Sequence, residues 1–547
     1  MNRKRLKKEK IKNQKQKEEK QNMAHRNSVK KNGEPKVIEL NLSATVAVII
    51  AIIVLIVTVT SVKVITTIIE VEESRKLNNE EQNANERVTY VNSTLKDESG
   101  NIVNETDADG NVIQVPVPKG YSASKIEGET TASKGFVIYE GDVDWSTILV
   151  DSESTQSNVA IDEPAFEDDL IVINENMPES NIVQDANVDV NTFNATTNGD
   201  TRNEDSTNGT ATDDTTTNDG TTTDTTVPTQ EEINIFNLQK TRNQYVWVPV
   251  DDPARIYGVD NKGKIWGKLY NFSNTGRTAY NWTETNGIMS ITSQTDYRDP
   301  NVLPSTTHDR DGYSLMYSSS LGETRYEMLA QELEQNYYEI IESIKKYGGF
   351  YIGRYETGGL NGTAVVRKMD TNIGSRNWYT MYKKCLTLKG ANTDVKTSMI
   401  FGNLWDETLE WLVKSGATIS DGTALTYQLI ANNSTTWGNY RNATFNYIAA
   451  NAETPLMTET KAKSTSTSTC TRIPAGSAEY TKANNVYDMA GNVWDWTTEA
   501  YSDNIRVFRG GCYDGHGYYS PASYRNYGVV PSYNDNYYGC RSVLWIK

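Results

Sequence analysis

The chain has 547 residues, and its 71 Asp and Glu against 54 Lys and Arg give a formal net charge of −17. It contains four cysteines and three histidines, His25, His308 and His516. The histidines are isolated and show no His-x-x-x-His spacing, which excludes a metal centre built from several histidines on one helix. The basic residues cluster in the N-terminal tail, where neither aromatic residues nor a recognisable fold supports nucleic-acid binding.

An uncharged run, Ala44 to Val62, follows this tail. With Leu42 it supplies the ~20 residues that a bilayer-spanning helix needs, so we expect a transmembrane helix at residues 42–63 that contacts the lipid bilayer. Residues 1–36 contain 14 Lys and Arg against 4 Glu, which predicts a cytoplasmic tail at residues 1–41. A cleaved signal peptide is the alternative, but the run is long for one and no A-x-A-like site follows. The sequence therefore predicts a single-pass cell-membrane protein with an extracellular C-terminal domain.

Three segments are predicted between the membrane and that domain. Residues 64–97 form a stalk, and residues 98–141 form a short β segment from the runs VIQVPV and GFVIYE, which can pack on the C-terminal domain or lie apart from it. Residues 142–238 form an acidic linker rich in Thr, Asn and Asp. From Asp142 to Glu232 this linker has 22 Asp and Glu against one basic residue, Arg202. Such a segment buries too little apolar surface to offset the entropy of ordering it, so we expect it to be disordered.

Hydrophobic periodicity predicts three helices in the C-terminal part. A capping box at Thr324 and Glu327 opens the first helix, which Gly348 ends. Apolar residues at helical spacing predict a second helix from about Asn377 to Leu388 and a third from Trp405 to about Lys414. The second helix places Cys385 in the core.

Four motifs stand in this part of the chain: GGFYIGRYETG from Gly348, NNVYDMAGNVWDWT from Asn484, VFRGG from Val507 and YGCRSVL from Tyr538. In type and order they resemble those of the formylglycine-generating enzyme, or sulfatase-modifying factor, family. The resemblance implies an α+β fold of the C-type-lectin kind with sparse regular structure, at residues 239–547. The complete predicted fold class adds a preceding transmembrane helix and the disordered acidic linker.

The resemblance also implies where catalytic residues would lie. The family's oxidases hold copper with two cysteines shortly after RGG, and the matching positions here are Gly515 and Ser520, which carry no thiolate. Cys512 and Cys540 occupy other positions. A second enzymatic branch uses iron held by several histidines, which this chain lacks. We therefore expect neither copper nor iron, and a domain that is not an enzyme.

Two structural features are expected from the same resemblance. The family binds a structural Ca²⁺ at the segment matching Asn492, Val493 and Asp495, whose oxygen ligands suit calcium, with a metal-free hydrogen-bonded turn as the alternative. Cys512 and Cys540 each lie at the inner end of a motif that the family brings together. A disulfide between them is one interpretation, and two buried free thiols are the other.

The segment between Cys512 and Tyr538 is rich in Tyr, Asn, Ser and Gly, which is the composition of antibody-like recognition surfaces. The sequence therefore predicts a binding module whose C-terminal face recognises an extracellular protein or glycan. The expected ligand-binding residues are Tyr513, Tyr518, Tyr519, Tyr524, Asn526, Asn534 and Tyr537, above a buried scaffold that includes Arg509 and Arg541. In some proteins of this fold the same segment is the variable region of a diversity-generating retroelement, an alternative that stays open. So does a metal-dependent oxidase acting on a client protein.

Overall fold

The structure is a computed structural model, and it describes residues 87–150, 227–280, 282–291, 325–464, 466, 470–502 and 505–547. All of them belong to one unit of the chain, Arg87–Lys547. The predicted cytoplasmic tail, the run at 42–63, most of the stalk and residues 151–226 of the acidic linker lie outside the described residues. One described helix lies inside the predicted limits of that linker, and a second begins there and continues to Thr241.

The predicted fold class is corrected on two points. In the described ranges no helix has both the length and the apolar character needed to cross a membrane. Regular structure is also not sparse, since the described residues form a six-stranded sheet, a four-stranded sheet and seven two-stranded sheets. Most of these strands could not be predicted from the sequence, because most have only two to five residues. An alternating pattern of apolar and polar residues needs a longer run to be recognised.

The first half of the unit consists mainly of short strands. They are β1 Val88–Asn92, β2 Thr94–Lys96, β3 Ile102–Asn104, β4 Gln114–Pro118, β5 Tyr121–Ala123, β6 Val137–Glu140, β7 Gln244–Pro249, β8 Tyr257–Val259, β9 Ile265–Gly267, β10 Tyr270–Ser273, β11 Gly276–Ala279, β12 Trp282–Thr285 and β13 Ile288–Ile291. The later strands are β14 Gly349–Gly353, β15 Val395–Met399, β16 Phe445–Ile448, β17 Thr458–Lys461, β18 Lys482–Ala483, β19 Val486–Tyr487, β20 Trp494–Ser502, β21 Ile505–Arg509, β22 Arg525–Asn526, β23 Tyr538–Cys540 and β24 Ser542–Ile546. The helices are α1 Trp145–Ile148, α2 Gln230–Thr241, α3 Arg325–Tyr347, α4 Trp378–Thr387, α5 Gly402–Lys414 and α6 Tyr427–Ala431.

The six-stranded sheet is antiparallel, with the order β15-β24-β14-β7-β6-β5. Strand β6, which lies in the GFVIYE run, pairs with β7 so that Val137 faces Val246 and Ile138 faces Tyr245. Residues 121–140 therefore extend the sheet of the C-terminal part. Val137 and Val246 point into one hydrophobic cluster and Ile138 and Tyr245 into another. Because both faces are covered, these strands are continuous apolar runs.

The helices lie close to their predicted positions. Helix α3 ends before Gly348, whose φ of 77° is in the left-handed region, and helix α4 begins after Asn377, whose side chain accepts from the amide of Thr380 at 2.9 Å. Helix α5 begins three residues earlier than expected, at Gly402. A Cβ at this glycine would lie 2.3 Å from Glu499 Oε2, so only glycine allows the helix to pack this close to strand β20.

The four-stranded sheet has the order β22-β21-β20-β23 and places three of the sequence motifs side by side. Strand β20 holds the WDWT motif, and it runs antiparallel to β21, which ends in the arginine of RGG. On its other side β20 runs parallel to β23, with Trp494 opposite Tyr538 and Trp496 opposite Cys540. Trp494 and Trp496 are buried.

Candidate functional site

The candidate site is the loop between β21 and β23, and it begins with a tight double-glycine turn. Gly510 and Gly511 have φ angles of 88° and 81°. A Cβ at Gly511 would lie 2.4 Å from the carbonyl oxygen of Ser520. The two glycines of RGG thus let the loop pass back over its own start, which no larger residue would allow.

Buried side chains hold this loop from below. The hydroxyl of Tyr440 donates to the carbonyl of Gly510 at 2.7 Å and also lies 3.0 Å from that of Ser520. The indole of Trp405 donates to the carbonyl of Ala522 at 3.1 Å. Hydrogen bonds from side chains to loop carbonyls supply the order that a loop without regular structure lacks.

A network of four buried charged side chains fixes the base of the loop. Arg509 lies 2.6 Å from Asp406 and 3.3 Å from Glu499. Arg525 contacts the same two carboxylates, with 2.8 Å to Glu499. Each arginine thus bridges helix α5 and strand β20. The expectation that Arg509 and Arg541 are buried is confirmed, since neither is exposed.

The outer surface of the loop is aromatic. Tyr518, Tyr519 and Tyr524 expose 46%, 69% and 41% of their surface, while Tyr513 and Tyr537 are partly buried. We call these five tyrosines together with His516 the aromatic face. Single exposed hydrophobic side chains are common on folded proteins, whereas a contiguous exposed patch is typical of binding sites.

Five of the six residues of the aromatic face form two groups. In the first, the rings of Tyr518 and Tyr519 lie 4.4 Å apart, and the ring of His516 lies 5.1 Å and 5.7 Å from them. In the second, Tyr513 and Tyr537 are stacked at 5.4 Å. Tyr524 lies apart from both groups, with its ring 6.1 Å from that of Trp494.

The remaining two predicted residues do not join these groups. Asn526 accepts from the amide of Gly528 at 3.2 Å, and Asn534 is exposed. No hydrogen bond or ring contact within the described part of the chain connects either asparagine to the aromatic groups. The sequence composition therefore predicts this loop as the binding site, but it does not separate the residues that the fold brings together from those that it does not.

Charged residues beside the aromatic face were missed by the sequence analysis. Arg441 pairs with Asp514 at 2.9 Å and also donates from Nε to the Asp514 carbonyl at 2.9 Å. Burial, followed by the charges of Arg441 and Lys463, lowers the pKa of His516. This histidine is therefore uncharged at neutral pH. No sequence signal marks Arg441, because it lies 73 residues from its partner.

Comparison with known proteins identifies the domain. Residues 400–545 match the family model described as the sulfatase-modifying factor enzyme 1-like domain. The chain contains a sulfatase-modifying factor enzyme 1-like domain. The match starts at α5, whereas the predicted domain starts at residue 239. No curated protein matches the chain.

One solved structure that matches is Treponema denticola variable protein 1, with 13% sequence identity over 56% of this chain and 96% of that chain. The TM-score of the match is 0.20. A TM-score this low does not establish a common fold.

Two thiols lie at the ends of the loop, Cys512 shortly after β21 and Cys540 in β23. Gly515 and Ser520 occupy the positions implied for a copper-binding pair, and the Ser520 carbonyl accepts from Tyr440. Burial raises the pKa of the Cys512 thiol to about 12. The predicted disulfide is not formed in the structure, where Cys512 and Cys540 are free thiols. Cys540 Sγ lies 3.6 Å from the sulfur of Cys385.

Asn492, one of the residues expected to bind calcium, is engaged with protein groups. Oδ1 of Asn492 accepts from the side chain of Asn439 at 3.0 Å and from the amide of Ile473 at 3.1 Å. Its Nδ2 donates to Glu356 at 2.6 Å. Asp495 faces the guanidinium of Arg541 at 3.5 Å. Asn492 is thus held as in a metal-free turn, while both carboxylate oxygens of Asp495 are buried and lack a hydrogen-bond partner within the described residues.

Proposed function

We propose that the sulfatase-modifying factor enzyme 1-like domain is a binding module, and that its aromatic face recognises a protein or glycan outside the cell. The observation that carries this proposal is the pair Tyr518 and Tyr519, exposed side by side on a loop that buried residues hold in place. Tyrosine offers a large contact area at a low cost in side-chain entropy, because only two torsion angles must be fixed on binding.

The support beneath the loop favours binding for a second reason. The buried Arg509 and Arg525 network and the hydrogen bonds from Tyr440 hold the loop before any ligand arrives. A loop that is already ordered loses less entropy on binding, which raises affinity without further contacts.

The chemistry of the face suits an uncharged or mixed polar partner. Burial raises the pKa of Tyr513 to about 12, with a further contribution from Tyr537, so its hydroxyl is neutral at physiological pH. Exposed tyrosines can stack on the apolar faces of sugar rings or on apolar side chains, while their hydroxyls form hydrogen bonds.

The test is binding of the full-length chain to an array of glycans and surface proteins. The double variant Tyr518→Ala/Tyr519→Ala should lose binding to a partner of the wild type while keeping its melting temperature, because anchor tyrosines carry about 2 kcal/mol or more each. Tyr90→Ala is a matched control, since Tyr90 is 49% exposed and lies in β1. If binding persists in the double variant while its melting temperature falls, these tyrosines serve packing and the proposal fails.

The competing proposal is an oxidase of the formylglycine-generating type. It requires copper at the loop after RGG, where the matching positions are Gly515 and Ser520. Copper retained in stoichiometric amount by the purified chain after dialysis, together with oxygen consumption on a cysteine-containing peptide, would overturn the binding-module proposal.

A further inference from the structure

A cavity of about 550 Å³ lies away from the aromatic face, between residues 126–134, helix α2 and the segment from Glu479 to Tyr487. This volume lies within the usual range for small-molecule sites, which is roughly 300–1,000 Å³. The residues around it come from distant parts of the chain, and they place both charged and apolar side chains on its wall.

The charges on the cavity wall are not balanced. Glu127 pairs with Lys96, which lies outside the cavity, at 2.6 Å. Glu232 is held in the capping box of α2, where the amide of Thr229 donates to it at 2.8 Å. Its charge is not neutralised there, so three carboxylates face the cations of the cavity, those of Glu129, Glu232 and Glu479.

Four cations line the same cavity. Arg354 pairs with Glu129 at 2.7 Å. Lys368 and Lys482 both face Glu479, and Lys134 donates to backbone carbonyls at the rim. With Glu127 paired to Lys96, the four cations of the wall exceed its three other carboxylates by one, and a monovalent anion would neutralise this difference.

Lys368 is the least satisfied of these cations. The residue is 7% exposed, and its ammonium lies 3.5 Å from Glu479 Oε1 and 5.4 Å from the centre of the Tyr487 ring. Glu479 is already engaged by Lys482 and by the hydroxyl of Tyr487 at 2.6 Å. An ammonium group has three donors, so at least two remain for a ligand. Burial lowers the pKa of Lys368, which reflects the cost of holding its charge there.

Apolar side chains form the opposite part of the wall. Ile126, Ile235, Phe236 and Leu456 line the same cavity. Phe236 is buried, whereas Leu456 is 47% exposed at the mouth. A ligand with a short hydrocarbon part would bury it against these side chains and place its anionic end on the ammonium.

We propose that this cavity binds a small aliphatic monocarboxylate, with the carboxylate on Lys368 Nζ and the alkyl group against Phe236 and Leu456. The site is separate from the aromatic face, and the proposal does not depend on the function proposed there.

Calorimetric titration of the full-length chain with sodium butyrate, acetate, phosphate and chloride tests the proposal. Butyrate should bind about tenfold more tightly than acetate, because each buried methylene contributes roughly 0.8 kcal/mol. Phosphate and chloride should bind more weakly than butyrate. Equal binding of acetate and butyrate, tighter binding of phosphate, or no binding of butyrate would each overturn the proposal.

Two variants locate the site. Lys368→Met keeps most of the length of the side chain but removes its charge, and it should weaken butyrate binding by at least about tenfold. If that variant does not fold, Leu456→Asp still tests the site, because a carboxylate at the mouth should repel butyrate to a similar degree. Met457→Asp is the matched control, since Met457 is 44% exposed and lies outside the cavity. Butyrate binding that is unchanged in Leu456→Asp, or lost equally in Met457→Asp, would place the ligand elsewhere.

Discussion

Arg509 and Asp406 form an ion pair in which neither side chain is exposed, with 2.6 Å between Nη2 and Oδ1. The pair joins the arginine of the RGG motif to helix α5, directly beneath the aromatic face. Asp406 also accepts from the amide of Tyr270 at 2.9 Å. A single carboxylate therefore holds the loop, the helix and the first half of the unit together.

The first prediction concerns Asp406→Ala. Removing one partner of a buried pair leaves an uncompensated charge, which costs about 3–5 kcal/mol of unfolding free energy in proteins generally. Urea denaturation should show a loss of this size. Asp251→Ala is the control, because Asp251 also pairs with an arginine, Arg255, but its side chain is 81% exposed, and such pairs contribute little. Similar losses in the two variants would contradict the role given to Asp406.

The sequence predicted local elements better than it predicted tertiary contacts. Helix α3 was predicted because Leu329 to Ile344 repeat at helical spacing, and the motif strands were found because their residues are distinctive. The partners of Asp406 lie 103 and 119 residues away in the chain. Nothing in the local sequence specifies such a pair, because it depends on how the elements pack.

The contact between Cys385 and Cys540 could not be predicted for the same reason, because it depends on how distant elements pack. Cys512 and Cys540 were paired through the motifs beside them, while Cys385 was assigned to the core from its place on α4. That assignment is confirmed, since Cys385 is fully buried. Its neighbour in the core is Cys540, 155 residues away, a contact that follows from the packing of α4 against β23.

The second prediction follows from this contact. Treatment of the full-length chain with diamide should oxidise Cys385 and Cys540 to a disulfide, with both thiol protons and two electrons passing to the diamide. Peptide mass spectrometry without reduction should detect the bond in wild type and in Cys512→Ser, but not in Cys385→Ser. If mass spectrometry detects a disulfide between Cys512 and Cys540 instead, this prediction is wrong and the pairing expected from the sequence is correct.

The third prediction concerns pH. Burial raises the pKa of Asp495 to about 7, and burial also raises the pKa of Glu356 and Asp488. The unfolded chain has carboxyl pKa values of about 4. Between these values the folded state binds more protons than the unfolded state, so stability falls as pH rises.

The contribution from Asp495 is fully present below about pH 4 and is lost as the pH rises through about 7. The urea midpoint should therefore fall between pH 5 and pH 8, with a smaller decrease in Asp495→Asn than in wild type. A midpoint that rises over this range, or an equal slope in the variant, would contradict the prediction.

The fourth prediction concerns calcium. Asn492 is occupied by Asn439, Ile473 and Glu356, so removal of metal by EDTA should leave the melting temperature of the full-length chain unchanged. Addition of calcium should have no effect either. A saturable rise in melting temperature that is lost in Asp495→Asn would show that the ligand set rearranges to bind the ion.

The fifth prediction concerns the strands that precede the acidic segment. A fragment of residues 227–547 lacks β5 and β6, so β7 becomes an edge strand and Val246, Tyr245 and their neighbours lose their cover. Arg354 also loses its buried partner Glu129, which lies at 2.7 Å. An exposed apolar edge promotes aggregation, and an unpaired buried cation destabilises the fold.

Gel filtration should therefore find the fragment of residues 227–547 aggregated or unfolded, while a fragment of residues 87–547 elutes as a folded species. If the two fragments unfold at the same urea concentration, the strands of residues 121–140 contribute nothing to the stability of the sheet.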